Sequence, residues 1–308
     1  MVTMQEQVSL APFTYFKIGG PARFFVEVHS EEELADALTF AQEKNIPFWI
    51  LGGGSNVLIA DEGLPGLVIR ILFDAIEFTS LPAEQAGFNL VNLVRVGAGV
   101  TMARAVAAST AAGLTGLEWA IGIPGTIGGS VRGNAGCFGS EIKDVIQHVY
   151  VLEFPISNFQ FLSKFQIPNS KCQFQYRESV FKRNPNLIML SATLQLRKGD
   201  PEKSKRLIAH YAQERTEKQD IGEKCAGCIF KNSIAEDGTV IHAGKLIDTA
   251  GCKSLQVGGA MVSQKHANYF INRGGATAAD VLALIEQVKE RVRNQHNITL
   301  KEEIQILR

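Results

Sequence analysis

"WILGGGSNVLIADEGLPGLVIR", residues 49–70, places three consecutive glycines between two apolar runs. Consecutive glycines allow several backbone N–H groups to point into one concavity, and the missing Cβ atoms leave room for a diphosphate. Ser55 and Asn56 follow directly as short polar donors. A tight turn between two strands needs similar residues, so this loop is consistent with either a phosphate-binding cradle or a turn.

A second glycine-rich stretch, GLTGLEWAIGIPGTIGGSVRGNAGCFG at 113–139, favours the cradle. It contains nine glycines among apolar residues and almost no charge. A disordered linker would be polar and would lack Trp119, Ile121, Ile123 and Ile127. The stretch therefore predicts a packed backbone surface that a large planar or phosphorylated ligand can approach closely. Two such separated cradles predict one long dinucleotide.

The composition of the 308-residue chain favours small-molecule ligands. Its 31 basic and 31 acidic residues cancel, whereas nucleic-acid binding needs a broad basic surface. Glycine or charge interrupts the apolar runs well before the roughly 20 residues that cross a bilayer, and the N-terminal segment lacks the basic start of a secretory signal. We expect a cytoplasmic protein with reduced cysteines, two or three domains, and no nucleic-acid, membrane or obligate protein partner.

Hydrophobic periodicity predicts a chain that mixes helices and strands throughout. Ser30 and Glu33 form a capping box before an amphipathic helix at 31–45, and Thr101 caps a helix that runs to about residue 113. A charged helix is expected at 201–218 and a long amphipathic helix from about Thr277. The strands are expected at 48–51, 93–96, 148–153 and 188–197. The clearest internal boundary falls near 199–205.

Segments along nearly the whole chain are similar to one enzyme family. They are FKIGGPARFF (16–25), LGGGSNVLI (51–59), GLEWAIGIPGTIGGSVRGNAGCFGSEI (116–142), FQYRESVFK (174–182), CAGCIFKN (225–232) and LKEEIQIL (300–307). Together they resemble the UDP-N-acetylenolpyruvoylglucosamine reductases, FAD enzymes of bacterial peptidoglycan precursor synthesis. The glycine-rich segments are shared with the wider vanillyl-alcohol-oxidase type of fold, whereas the Tyr-Arg and Gly-Cys-x-Phe-Lys-Asn segments are specific to the reductases.

The resemblance implies an α+β architecture with three parts. A two-part FAD-binding fold of the vanillyl-alcohol-oxidase type would comprise residues 1–72 with the C-terminal segment 301–308, and residues 73–200. An α+β substrate-binding domain would comprise residues 201–300. The chain resembles the shorter form of the family, which lacks a tyrosine-bearing loop.

The resemblance also implies a reaction in two steps. NADPH reduces bound FAD, and the reduced flavin passes a hydride to C3 of an enolpyruvyl group on a UDP-sugar, after which C2 is protonated to give UDP-N-acetylmuramate. The flavin is expected to be noncovalent because residues 46–60 contain no histidine or cysteine. The implied cofactor-binding residues are Gly52, Gly53, Gly54, Ser55, Asn56, Val57, Gly122, Ile123, Pro124, Gly125, Thr126, Gly128, Gly129, Ser130, Asn134 and Gly136.

Arg177 and Glu303 match two catalytic positions of the family. A planar guanidinium can hold a carboxylate with two hydrogen bonds and stabilise the enolate-like charge that develops there. Without the resemblance, Arg177 would be interpreted as a surface residue paired with Glu178. Glu303 is preferred to Glu302 because the family pattern places its glutamate directly before an apolar residue, here Ile304.

Cys228 stands where the family usually has the serine that protonates C2. A thiol with an ordinary pKa of about 8.5 is mostly protonated at neutral pH and can donate a proton. Cys225 and Cys228 also form a Cys-x-x-Cys pair, which leaves a dithiol redox role open, whereas Cys225 alone fits a small packing residue. Zinc needs about four ligands, and no metal is expected because the other cysteines are isolated, at Cys137, Cys172 and Cys252.

Five residues are implied to bind the UDP-sugar: Tyr176, Lys231, Asn232, Lys253 and His266. A lysine can meet a diphosphate as a point charge, whereas a single histidine is more often a surface or packing residue. Two other classes of function stay open. One is a flavin-dependent oxidase on the same fold, and the other is a noncatalytic nucleotide-binding protein.

Overall fold

A computed structural model describes residues 2–80, 91–154, 163–235 and 237–308. The chain divides into two compact units, and the N-terminal region contributes strands to both. Unit A contains residues 2–3, Val26–Gly53 and Ile69–Glu214, and unit B contains Met4–Phe25, Gly54–Val68 and Arg215–Arg308. The three ligand-binding parts expected from the sequence have other boundaries, at residues 72, 200 and 300, and remain a prediction.

Several helices begin where the sequence places capping side chains. Ser30 Oγ accepts from the Glu33 N–H at 3.2 Å, and Thr101 Oγ1 accepts from the Arg104 N–H at 3.2 Å. The four predicted helices are confirmed, and none of the described helices combines the length and apolar character needed to span a bilayer. The helices are α1 (Glu31–Glu43), α2 (Met102–Ala111), α3 (Ile127–Arg132), α4 (Val180–Arg183), α5 (Pro201–Lys218), α6 (Ala243–Thr249) and α7 (Ala278–His296).

The strands predicted from apolar patterning at 48–51, 93–96, 148–153 and 188–197 are confirmed. The strands of the described residues are β1 (Gln5–Ser9), β2 (Pro21–Val28), β3 (Phe48–Leu51), β4 (Val57–Ile59), β5 (Leu64–Ile71), β6 (Ile76–Ser80), β7 (Val91–Gly97), β8 (Leu114–Thr115), β9 (Gly136–Cys137), β10 (Ser140–Glu141), β11 (Ile146–Glu153), β12 (Ser163–Pro168), β13 (Leu187–Lys198), β14 (Cys225–Cys228), β15 (Ser233–Ile234), β16 (Val240–Ile241), β17 (Gln256–Val257), β18 (Ala260–Val262), β19 (Tyr269–Asn272) and β20 (Gln305–Leu307).

Unit A is built on an antiparallel sheet in the order β12-β11-β13-β7-β6. The central strand β13 pairs on both sides, with Ser191 opposite Tyr150 of β11 and Gly97 of β7. Its buried face joins apolar side chains of α2 and α3, among them Met102 and Ile127, in one core. Burying apolar side chains against both helices gives this sheet its main stabilisation.

Unit B is built on the antiparallel sheet β14-β19-β18-β17, with α7 packed into the same core. The buried positions of α7 recur every three or four residues, as expected for an amphipathic helix, and each fully buried aliphatic side chain contributes about 1.5–3 kcal/mol. Asp61 accepts hydrogen bonds from the first N–H groups of this helix, at 2.7 Å from Ala278 and 3.0 Å from Ala279. The buried residues of α7 are Ala278, Val281, Leu284, Ile285, Val288 and Val292.

A buried carboxylate connects the start of α5 to the rest of unit A. Glu118 accepts from Thr115 Oγ1 at 2.6 Å and from the Gly116 N–H at 2.7 Å, and Ser204 Oγ of α5 also donates to it. Burial raises the pKa of Glu118, but these hydrogen bonds outweigh burial, so the pKa lies below its ordinary value. Glu118 therefore stays ionised in the folded state at pH values that protonate it in the unfolded chain.

We expect unit A to lose stability in acid partly through Glu118. A carboxyl group with a lowered folded pKa stabilises the fold above its ordinary unfolded pKa, and this contribution is lost as pH falls through the folded value. Glu118→Gln should lower the free energy of unfolding at pH 7 by about 1.5–3 kcal/mol, the range for hydrogen bonds to a charged group. The variant should also lose less of its free energy of unfolding than wild type as the pH falls. Denaturant titrations can follow Trp49 and Trp119, the two tryptophans, both in unit A. If the free energy of unfolding fell equally in the variant and in wild type at acidic pH, Glu118 would make no such contribution.

Candidate active site

The two glycine-rich segments meet inside unit A. A Cβ atom added to Gly53 would lie 2.6 Å from Gly125 Cα, and one added to Gly52 would lie 2.7 Å from Thr126 Oγ1. Any side chain would therefore push the segments apart. Gly125 also has φ +105°, a conformation that L-residues rarely adopt. The backbone surface formed here fits a dinucleotide that needs close approach to main chain.

The second glycine-rich segment contains both buried and exposed cofactor candidates. Gly128 packs against Ala98, with its N–H donating to the Ala98 carbonyl at 2.9 Å, and Thr126 and Ser130 are buried. The exposed members are Gly122, Pro124 and Gly129. Thr126 and Ser130 thus lie within the fold, whereas the exposed members are accessible to a ligand.

Arg177 lies at the tip of a tight turn in unit A. The main chains of Gln175 and Glu178 exchange hydrogen bonds of 3.0 and 3.1 Å across the turn. The Arg177 guanidinium donates to the carbonyls of Asn134 at 3.4 Å and Gly136 at 3.3 Å. The structure thereby joins the predicted catalytic arginine to the end of the predicted cofactor segment.

Tyr176 and Glu178 flank Arg177 in this turn. The Arg177 guanidinium carbon lies 5.4 Å from the centre of the Tyr176 ring, and the Tyr176 side chain is exposed. Glu178 Oε1 lies 3.2 Å from Lys182 Nζ, an i,i+4 ion pair within the same segment. The Arg177 guanidinium thus contacts the Tyr176 ring as well as two main-chain carbonyls.

Unit B brings Cys228 and Glu303 onto neighbouring segments. The Glu303 N–H donates to the carbonyl of Ile229 at 2.7 Å, directly after Cys228. Asn56 Nδ2 donates to the Glu303 carbonyl at 3.2 Å, and the Asn56 carbonyl accepts from the Gln305 N–H at 3.0 Å. The segments that carry Asn56, Cys228 and Glu303 therefore lie side by side in unit B, joined by main-chain hydrogen bonds and by one from the Asn56 side chain.

A β-bulge precedes Cys228. Cys225 pairs with Ile271 and Cys228 with Tyr269, so three steps along β14 match two steps along β19. Gly227 supplies the positive φ, +72°, that this irregularity needs. The bulge therefore sets the register in which Cys228 pairs with β19.

The two cysteines of the Cys-x-x-Cys pair differ in their surroundings. Cys225 is buried, and burial raises the pKa of its thiol, which agrees with a packing residue. Cys228 is only half-buried. Within the described residues, no group of three or more histidine, cysteine, aspartate or glutamate side chains is arranged to hold a metal ion.

Two of the predicted substrate-binding residues follow Cys228 and are held by unit B. The Lys231 N–H donates to the Lys301 carbonyl at 2.8 Å. Asn232 Oδ1 accepts from the Ala243 N–H, the first of α6, at 3.0 Å. Asn232 therefore helps to satisfy the start of a helix, a structural role that the sequence did not suggest.

Lys253 and His266 complete the predicted substrate set. Lys253 Nζ forms an ion pair with Asp248 Oδ2 at 2.8 Å. Burial lowers the pKa of His266, and Lys253 lowers it further, against the opposing effect of Asp220. The Nδ1 atom of His266 is buried and has no hydrogen-bond partner among the described residues. The lowered pKa favours a neutral imidazole at pH 7.

Sequence reasoning missed Asn268, which positions the segment after Cys228. Its side chain accepts from the Phe230 N–H at 2.9 Å and donates to the Phe230 carbonyl at 2.8 Å. The carboxamide therefore makes the two hydrogen bonds that the main chain of a neighbouring strand would otherwise make. Asn268 is 2% exposed. The feature of the sequence that could have indicated this role is an amide side chain within the apolar segment HANYFIN, at 266–272.

Comparisons with known proteins agree with this geometry. Residues 22–154 match the family model described as FAD binding domain, and residues 219–307 match the model described as UDP-N-acetylenolpyruvoylglucosamine reductase, C-terminal domain. The fold and the two glycine-rich segments thus define an FAD-containing oxidoreductase with an α+β fold. More particularly, the chain belongs to the UDP-N-acetylenolpyruvoylglucosamine reductase family. The predicted fold class, flavin cofactor and enzyme class are confirmed.

Full-length relatives carry the family assignment. The reductase of Bacillus velezensis is 35% identical over 302 residues, which cover 98% of this chain and 93% of the relative. The reductase of Carboxydothermus hydrogenoformans is 38% identical over 303 residues, with the same coverage of 98% and 93%. The crystal structure of the reductase from Thermus caldophilus superposes with a TM-score of 0.78 at 32% identity, covering 100% of this chain and 99% of that one.

Proposed function

We propose that the chain reduces the enolpyruvyl group of UDP-N-acetylglucosamine enolpyruvate to the D-lactyl ether, with NADPH as the hydride donor. The product, UDP-N-acetylmuramate, would enter peptidoglycan synthesis in the cytoplasm. The observation that carries the proposal is the convergence of Asn56, Cys228 and Glu303 in unit B, where Glu303 hydrogen-bonds to both of the other segments. The names of the relatives support the same substrate.

Arg177 is assigned to the charge that forms during reduction. The reduced flavin, when bound, would supply the hydride for C3 of the enolpyruvyl group, and negative charge would then develop on C2 and the adjoining carboxylate. The Arg177 guanidinium is suited to bind that carboxylate with two parallel hydrogen bonds. Because the contact strengthens as charge develops, it lowers the barrier rather than only improving substrate binding.

Cys228 and Glu303 are assigned to proton transfer. The Cys228 thiol gives its proton to C2, which forms the new C–H bond and leaves a thiolate that solvent reprotonates. Glu303 is assigned to polarising the enolpyruvyl group and positioning the thiol. Its main-chain contact with Ile229 places the glutamate beside the segment that carries Cys228.

Binding roles are proposed for the remaining candidates. Tyr176, beside Arg177, and the ammonium groups of Lys231 and Lys253 would contact the UDP-sugar, the lysines as point charges for its diphosphate. A neutral His266 can accept or donate one hydrogen bond to the same ligand, and Asn232 retains its amide nitrogen for such a contact. FAD is proposed to be held noncovalently by the glycine-rich surface.

An anaerobic experiment tests the function. NADPH should bleach the flavin absorbance, and addition of the enolpyruvyl UDP-sugar should restore it in a single turnover, with UDP-N-acetylmuramate as product. Rapid return of the absorbance with oxygen, but not with the UDP-sugar, would indicate an oxidase. Flavin binding without either reaction would indicate a noncatalytic nucleotide-binding protein.

A further inference from the structure

The main chain of Arg177 is strained. Its φ is +57°, in the left-handed region that non-glycine residues seldom occupy. Such conformations cost free energy and persist only where surrounding contacts enforce them. The contacts that hold this turn therefore also determine where the guanidinium points.

Lys182 supplies one such contact from outside the turn. Its Nζ donates to the Arg177 carbonyl at 2.9 Å and pairs with Glu178 Oε1 at 3.2 Å. The Lys182 side chain is only 13% exposed. An ammonium at this carbonyl fixes the peptide plane that follows Arg177, and the partial burial strengthens the hydrogen bond.

The helix that carries Lys182 is itself anchored. Ser179, the extended residue that precedes the short helix α4, is fully buried and donates through Oγ to the Arg132 carbonyl at 2.7 Å. The Lys182 N–H donates back to the Ser179 carbonyl at 3.2 Å. The ammonium therefore approaches the turn from a fixed point of unit A.

The opposite side of the turn is held by Asn134. Its Nδ2 donates to the Gln175 carbonyl at 2.9 Å, and its own carbonyl accepts from the Arg177 guanidinium. Asn134 is fully buried, and its Oδ1 accepts from the Lys143 N–H at 3.3 Å. Both the nitrogen and the oxygen of the carboxamide are thus hydrogen-bonded within unit A. Asn134 and Lys182 hold the turn from opposite sides.

We infer that Lys182 is a positioning residue for the reduction, acting on Arg177 through its carbonyl oxygen. The inference rests on the proposed role of Arg177. Lys182 fixes the strained peptide plane, and thereby the direction from which the guanidinium meets the substrate carboxylate. A misplacement of about 1 Å at such a group can cost up to roughly 10²-fold in rate.

The experiment compares Lys182→Met with wild type in the flavin-loaded enzyme. Methionine keeps an unbranched apolar stem and removes the ammonium. We expect reoxidation of reduced flavin by the UDP-sugar to slow by about tenfold or more, while reduction by NADPH is unchanged. Hydrogen-exchange mass spectrometry of peptides covering 174–179 should show faster exchange, because the two main-chain hydrogen bonds across the turn open more often.

Two further variants separate the carbonyl contact from the ion pair. Glu178→Gln keeps the Lys182 hydrogen bond to the Arg177 carbonyl and should behave like wild type, and Lys182→Arg should recover part of the lost rate. Unchanged exchange at 174–179 in Lys182→Met, an equal loss in both half-reactions, or the full defect in Glu178→Gln would each overturn the inference. Failure of the proposed function is distinguishable, because hydrogen exchange reports on the turn whatever the role of Arg177.

Discussion

Replacement of Arg177 by methionine is expected to slow reoxidation of the reduced flavin by the enolpyruvyl UDP-sugar by about 10²–10³-fold, the usual effect of removing a preorganised group that stabilises transition-state charge. Reduction of the flavin by NADPH should stay within about twofold of wild type, because that step forms no charge on the substrate carboxylate. Stopped-flow absorbance of the flavin under anaerobic conditions measures the two steps separately. Arg177→Lys should recover only part of the loss, since an ammonium cannot form two parallel hydrogen bonds to a carboxylate.

Arg183 offers a matched control six residues away. Its guanidinium donates to Gln173 Oε1 at 2.7 Å on the exposed surface, so Arg183→Met makes the same substitution without touching the proposed site. We expect normal rates for both steps in this variant. Normal turnover in Arg177→Met, or equal losses in the two arginine variants, would remove Arg177 from the reaction.

Features set by neighbouring residues could be predicted from the sequence. Helix starts follow from side chains that reach N–H groups three residues on, as at Ser30 and Thr101. Four strands, β3, β7, β11 and β13, followed from apolar runs. The glycine-rich surface was partly predictable in the same way, because consecutive glycines permit either close backbone approach or a tight turn. Its role in holding the flavin stays a prediction.

Features set by distant partners could not be predicted this way. Asn56 and Glu303 are 247 residues apart in the chain, and Asn134 and Arg177 are 43 apart. No local pattern encodes these contacts, so only family resemblance could suggest that such residues act together. The two hydrogen bonds of the Asn134 carboxamide are of the same kind, since its two partners come from separate segments of the chain.

Local strain was also hidden in the sequence. Arg177 adopts a left-handed conformation although it is not glycine, because contacts from Asn134 and Lys182 outweigh its intrinsic preference. The bulge at Gly227 has a similar origin, since it depends on the register between β14 and β19. Both irregularities lie at proposed catalytic residues, where sequence rules are most often overridden.

Cys228→Ala is expected to slow protonation of the substrate by about 10²-fold or more, the usual contribution of a positioned proton donor. Flavin reduction by NADPH should be unchanged. Cys228→Ser should keep turnover within about tenfold of wild type, because a hydroxyl at the same position can also donate a proton. Product formation with the UDP-sugar, measured beside the reductive step, separates these outcomes.

Cys225→Ala is the matched control within the same strand. Cys225 is buried with a raised thiol pKa, so a packing role predicts nearly normal turnover after the loss of one small sulfur atom. A dithiol redox role predicts the opposite, because electron transfer through a disulfide needs both cysteines, and then Cys225→Ala and Cys228→Ser would fail together. If Cys228→Ala turned over at the wild-type rate, the proton would have to come from another group, and Glu303, whose main chain lies beside the same segment, would be the next residue to replace.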